Sequence, residues 1–234
     1  MQTITTFDQL ERIPLSERKF CYISEALTAT VPIQDTGELL RKIENTSSYI
    51  SLKSSNQSNI FYLRSGALDR LLHAARIINR RTKGEMKIAL TDTFRPLDLQ
   101  RKYFDEIKSE IQDREGLSGD ALWERVTQFI ADPDGCPPHS TGGAIDCTLV
   151  QASGEETDMG TSVDALSDAA NTWYPHIPSD AQRNRILLFT AMTDAGFVNL
   201  ATEWWHYSYG DQYWAAYKGA PCALYGSVAS LPTD

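Results

Sequence analysis

The clearest periodic pattern in the chain begins at Ser65. Leu68, Leu71, Leu72, Ala75, Ile77 and Ile78 recur at three- and four-residue spacing, with Asp69, Arg70 and Arg76 left for the wet side. That period predicts a helix, which Gly84 closes. Met86 to Asp92 then alternates apolar and polar positions as a strand does. Phe94-Arg95-Pro96 interrupts it, and Pro96 suits the first turn of a following helix that turns Leu99, Tyr103, Phe104 and Ile107 inward. Another helix is predicted over 118–130. Asp132-Pro133-Asp134-Gly135-Cys136-Pro137-Pro138 is expected to be extended loop, because each proline biases its predecessor away from the helical region.

The second half continues the mixture. A strand over 144–150 and a turn at Ser153-Gly154 precede a helix capped by Ser179-Asp180, which runs to Ala195 and stops at Gly196. Residues 204–209 are aromatic-rich and strand-like. Residues 1–60 carry the weakest signal, and 47–59 are polar enough to read as a loop. Helices and strands mix without a repeating βαβ unit. The prediction is a single α+β domain over 1–234, a mostly antiparallel sheet with helices packed on it. Its core spans 62–210, and 1–60 is a variable N-terminal part.

Composition narrows the functions. With 41% hydrophobic and 23% charged residues in 234, the chain is an ordinary globular one. A net charge of −9 argues against a nucleic-acid partner, which needs a basic face. The N-terminus has no basic start followed by an apolar run, and no stretch approaches the ~18–20 apolar residues of a membrane span. Four cysteines, Cys21, Cys136, Cys147 and Cys222, are too few and too scattered for a disulfide framework. These features predict a cytoplasmic protein with reduced thiols and no membrane partner; they leave the oligomeric state open.

The chemistry lies in two stretches. His139-Ser140-Thr141-Gly142-Gly143-Ala144-Ile145-Asp146 and Glu203-Trp204-Trp205-His206 hold two of the four histidines and two carboxylates. A catalytic zinc site with one open position needs three protein ligands and a base that reaches a water there. On a straight extended segment His139 and Asp146 would face apart, so sharing a metal requires a bend, which Gly142-Gly143 can supply. Glu203 and His206 would likewise face apart on a regular strand. A bend at the strand's start lets Glu203 act as general base while His206 binds the ion. One histidine among aromatic residues is ordinarily a packing residue; it is the combination that points to a metal.

Three further features compete for a role. Cys136 and His139 form a Cys-x-x-His spacing, but Pro137-Pro138 favours a polyproline rod that separates them by roughly 9 Å. This ligand pair therefore ranks second. His73 lies in a helical run and His176 follows Tyr174-Pro175; both read as structural. Arg95 sits where strand gives way to helix and can aim a fork of donors at a carbonyl oxygen or carboxylate. Taken alone, it reads as a partner for Asp92 or Asp98.

Together these stretches resemble the zinc D-alanyl-D-alanine dipeptidases of the vancomycin-resistance type, within the wider M15 family of D,D-carboxypeptidases. His139, Gly142, Ala144 and Asp146 meet the family's His-x-x-Gly-x-Ala-x-Asp pattern, and Glu203 to His206 meet its Glu-Trp-Trp-His. Phe94-Arg95-Pro96 stands for its Tyr-Arg-Pro, and Met159-Gly160-Thr161-Ser162-Val163-Asp164 for its Met-Gly-[Thr/Ser]-x-x-Asp. Asn184-Arg185-Ile186-Leu187-Leu188 and Gly196-Phe197 are similar to the helix leading into the last motif. The resemblance implies one zinc ion per chain on His139, Asp146 and His206, with Glu203 as catalytic base and Arg95 stabilising the oxyanion. It also implies that Asp164 holds the free amino group of a small peptide substrate. The implied fold is that of D,D-peptidases and the Hedgehog signalling domain. The alternatives are a D,D-carboxypeptidase or other cell-wall peptidase acting on longer chains, and a zinc-bearing binding module without catalysis. Two departures stand out: Pro137 replaces the family's usual Ser two residues before the first histidine, and residues 1–60 show no match to its N-terminal substrate-contacting segment.

Overall fold

The computed structural model describes residues 1–44, 49–53, 61–229 and 231. In chain order its elements are β1 (Gln2–Ile4), α1 (Phe7–Glu11), β2 (Cys21–Ile23), α2 (Glu25–Thr28), β3 (Leu40–Lys42), β4 (Ile50–Leu52) and β5 (Tyr62–Arg64). There follow α3 (Ser65–Arg81), β6 (Met86–Asp92), α4 (Leu97–Glu115), α5 (Gly119–Val126), α6 (Pro138–Thr141) and β7 (Ala144–Gln151). The chain closes with α7 (Ser179–Asp194), β8 (Val198–Asn199), β9 (His206–Ser208) and α8 (Gln212–Lys218).

The expected α+β architecture is what forms. The main sheet runs β4-β6-β7-β9-β8; β4 lies parallel to β6 and the other three pairings are antiparallel. The amphipathic run from Ser65 became α3, whose Leu71, Ala74, Ala75 and Ile78 are buried together with Leu188, Ala191 and Met192 of α7. Both helices pack on the face of the sheet that carries Ile88, Leu90, Ile145, Cys147, Leu149 and Tyr207. Successive strand residues alternate faces, so Asp146, His206 and Ser208 are left on the other face, where the candidate site residues gather.

One irregularity makes that face continuous. Leu90 pairs with Cys147 and Asp92 pairs with Asp146, so β6 spends one more residue than β7 over this interval. A regular strand would put Asp92 beside Leu90 and Ile88 in the core. The bulge at Thr91 instead turns Asp92 onto the face of Asp146. Asp146 is in turn directly opposite His206 on β9. The row Asp92–Asp146–His206 thus crosses three strands at one level.

Several expectations are corrected. Within 47–59, Ile50–Leu52 is strand β4 rather than loop, held parallel to β6; 47, 48 and 54–59 lie outside the described residues. Pro138 does not extend the preceding loop but opens α6, since proline's fixed φ is already that of a helix's first turn. Pro96 flanks α4 rather than entering it, and Ser179 is already helical without capping through its side chain. Strand β9 begins only at His206, because Trp204 and Trp205 belong to the turn before it.

The diglycine is where the segments meet. Gly142 terminates α6 at φ +74°, the left-handed conformation that favours glycine. A Cβ on Gly143 would strike the carbonyl oxygen of Tyr209, in a stretch where Tyr209 N–H donates to Gly143 C=O at 3.0 Å. Gly143→Ala is therefore expected to lower stability by about 1–3 kcal/mol through overpacking. Unchanged denaturation midpoints would mean that the strand ends part without cost.

Candidate active site

His139 is carried by α6, and two segments are stitched together to hold it. Arg95 N–H donates to His139 C=O at 3.2 Å, and Ser140 Oγ–H donates to Arg95 C=O at 2.8 Å. The ring is fixed as well, because its Nδ1 faces Thr93 C=O at 2.7 Å. An Nδ1–H donated to that carbonyl leaves Nε2 as a lone-pair donor, the tautomer a metal ligand requires.

Nε2 of His139 lies 3.2 Å from Nδ1 of His206. Nδ1 of His206 lies 3.0 Å from Oδ1 of Asp146, and Nε2 of His139 lies 3.3 Å from Oδ2 of the same carboxylate. Ligand atoms about 2.0–2.1 Å from a tetrahedral ion stand roughly 3.3 Å apart. The two histidines stand at that spacing from each other and each from one oxygen of Asp146, and among the described residues the three form the one metal-capable cluster. All three are buried. Burial pushes the Asp146 carboxyl up, but His139 and His206 beside it hold it far below the usual carboxylate range. Burial opposes charge on His139, yet Asp146 raises its pKa above the ordinary imidazole value.

Glu203 reaches the same place from the turn before β9. Its N–H donates to Leu200 C=O at 2.9 Å, its C=O accepts from His206 N–H at 3.3 Å, and its Oε2 ends 3.8 Å from Nδ1 of His206. The turn is clamped by Asn199, whose Nδ2 donates to the carbonyls of both Glu203 and His206 at 2.9 Å. Burial, then Asp146 and Asp164, push the Glu203 carboxyl well above its ordinary value.

Arg95 forks onto Asp92 Oδ2 through Nε at 2.9 Å and Nη2 at 2.6 Å, and its Nη1 donates to Gln100 Oε1 at 2.8 Å. Asp92 is thus its partner, as the isolated reading has it, and Asp98 is not. The same Nη2 stands 4.0 Å from Asp146 Oδ2. Arg95 so offsets the repulsion of two facing carboxylates while lining the cleft.

Asp164 lies on the cleft wall with φ +61°. Burial, then Asp146, raise its carboxyl to about 6. Its loop hangs on Arg185, a buried residue of α7 that donates to Met159 C=O at 2.7 Å, Asn171 C=O at 2.8 Å and Ala169 C=O at 3.0 Å. Trp204 Nε1–H donates to Thr161 Oγ1 at 2.8 Å, which ties the same loop to the turn of Glu203.

The cleft, about 560 Å³, is lined by all six of these residues, within the range of small-ligand sites. It brings in groups that sequence reading missed. Tyr22, Glu25 and Thr28, from the part with no recognised motif, form one wall; Gln100 and Asn199 are polar side chains in a buried setting with no sequence signature. Cys136 contacts Ser227 and stands outside the metal-capable cluster, so the Cys-x-x-His pair does not form. His73 and His176 are exposed and away from the site. All four cysteines are free thiols, and no helix among the described residues is long and apolar enough to cross a membrane.

Residues 71–220 match the family model Peptidase M15, described as D-Ala-D-Ala dipeptidase. A D-alanyl-D-alanine dipeptidase of Synechocystis sp. is 35% identical over 217 residues, covering 79% of this chain and 87% of its own. One of Escherichia coli is 40% identical over 88 residues, 37% of this chain and 46% of its own. Among solved structures, the vancomycin-resistance D,D-pentapeptidase VanY gives a loose superposition, with a TM-score of 0.44 at 14% identity over 84% of this chain and 96% of its own.

The metal-capable cluster is tested by equilibrium dialysis. His206→Ala should abolish stoichiometric uptake of a divalent ion, and Cys136→Ser should leave it untouched. Loss in the cysteine variant would restore the rival ligand pair.

Proposed function

The chain belongs to the D-Ala-D-Ala dipeptidase family of M15 metallopeptidases, and from that premise we propose that it hydrolyses a short D-amino-acid peptide, D-alanyl-D-alanine first among them, with one zinc ion. The observation that carries the reading is the preformed triangle of His139 Nε2, His206 Nδ1 and Asp146, with Glu203 at its edge. These three residues would hold the ion. Two imidazoles and one carboxylate are a donor set that would suit zinc among hydrolytic metals. When bound, the metal supplies Lewis acidity, lowering the pKa of a water and polarising the scissile carbonyl.

The remaining steps fall to the protein. Glu203, whose pKa burial and neighbouring carboxylates raise, takes a proton from the attacking water and passes it to the leaving amine, and a raised pKa makes the carboxyl a better base for the first transfer. Arg95 is held rigidly by Asp92 and Gln100. It stabilises the negative charge that develops on the carbonyl oxygen without having to reorganise. Asp164 pairs with the substrate's ammonium group. Because its carboxyl sits near pKa 6, that pairing is present above pH 6 and fades as the pH falls through it. Pro137 lines the cleft without offering a donor. The substrate's carboxylate must therefore find other partners than the hydroxyl that the family resemblance places there.

A second reading rests on the extent of the cleft. It continues past the triad to Glu25 and to α4 residues such as Glu106 and Glu110, which gives room for a longer cell-wall peptide. Comparing di-, tri- and pentapeptides ending in D-alanyl-D-alanine separates the two: a dipeptidase cleaves the first alone.

Glu203→Gln should retain zinc and lose about 10²–10⁴-fold in kcat, the usual share of a general acid–base group. Full turnover in that variant would remove Glu203 from the mechanism. Asp164→Asn should raise KM more than it lowers kcat. In the unaltered enzyme kcat/KM should drop as pH falls below about 6, and that limb should be missing from the Asp164→Asn profile. An identical acid limb in both would assign it to another group.

A further inference from the structure

His206 turns Nδ1 towards the ligand cluster, which leaves Nε2 facing the opposite way, 3.3 Å from Ser208 Oγ. Ser208 is two residues further along β9, on the same face of the strand, and fully buried. Behind it lies Asp211, also without exposure. Asp211 Oδ1 accepts from Trp214 N–H at 2.8 Å and so caps α8. Its Oδ2 is buried and has no hydrogen-bond partner among the described residues. Burial pushes this carboxyl up, and Ser208 beside it works against that push.

Capping does not explain a charge here. Asparagine caps a helix about as well as aspartate, and a buried carboxylate with a spare oxygen is costly unless something uses it. We propose that Asp211, acting through Ser208, is a positioning residue for His206: Nε2–H donates to Ser208 Oγ, and the Ser208 hydroxyl donates to the Asp211 carboxylate. This chain fixes the imidazole's tautomer and rotation so that the Nδ1 lone pair faces the ion, and it makes that nitrogen a stronger donor. Groups that orient ligand histidines in this way commonly change metal affinity by about 10–100-fold when removed. The two histidines are thus oriented by different means, His139 by the backbone carbonyl of Thr93 and His206 by a carboxylate relay. The inference rests on the reading of His139, Asp146 and His206 as a metal site.

The test is zinc affinity, measured by competition with a chromophoric chelator, for the unaltered protein, Ser208→Ala, Asp211→Asn and the double variant. Metal-free melting curves run alongside. Asp211→Asn keeps the cap and the volume, so its metal-free Tm should stay within a few degrees while its zinc affinity falls about 10–100-fold. The double variant should bind no more weakly than either single one, as expected of residues in one relay. Undiminished affinity in Asp211→Asn overturns the relay, and this variant decides the matter even if Ser208→Ala fails to fold. Failure of the unaltered protein to bind zinc would instead overturn the metal reading, and the relay with it.

Discussion

A buried carboxylate is the constraint around which this molecule is arranged. Asp146 sits in the middle of a five-stranded sheet with almost no exposure. An ionised group there is tolerated only when opposite charge and hydrogen-bond donors surround it. Each neighbour answers that need from a different part of the chain: His206 from the facing strand, His139 from a one-turn helix, Arg95 from the end of β6. Two of those neighbours, His139 and His206, are also the side chains that form the metal-capable cluster with Asp146. Stability of the sheet centre and readiness for a metal are two aspects of one electrostatic arrangement.

The segments that carry chemistry are also joined mechanically. Arg185 of α7 gathers three carbonyls of the loop bearing Asp164, and Asn184 Nδ2 adds a bond to Asp158 C=O at 2.9 Å. Trp204, next to Glu203, bonds to Thr161 in that loop. A cation buried this deeply is costly unless its donors are satisfied, and the loop's carbonyls satisfy them. The helix before the last motif therefore serves as the beam from which one wall of the cleft is hung.

Much of this was legible in the sequence, and the reasons are specific. The metal-capable cluster could be read because metal chemistry admits few residue types, and because Gly142-Gly143 announced the bend between His139 and Asp146. Helix α3 and strand β6 were legible through their period. What stayed hidden was tertiary in origin. Alternation gave no warning of the bulge at Thr91, since its effect appears only against β7. Strand β4 is three residues in a polar stretch and owes its conformation to β6. Gln100 and the wall formed by Tyr22, Glu25 and Thr28 act through long-range contacts, which no local pattern records, and Asn199 clamps a nearby turn that has no residue signature of its own.

The bulge has an evolutionary consequence. Straightening β6 between Leu90 and Asp92, with no change in its length, would restore strict alternation and swing the Asp92 carboxylate into the layer of Ile88 and Leu90. Arg95 would lose its anchor, and the charge balance around Asp146 would fail together with it. Descendants of such a chain must keep the parity that this short interval of β6 now has, with Asp92 on the face opposite to Leu90. Any drift in substrate preference must come through substitution at the cleft walls, with the spacing between the strand and Arg95 inherited unaltered.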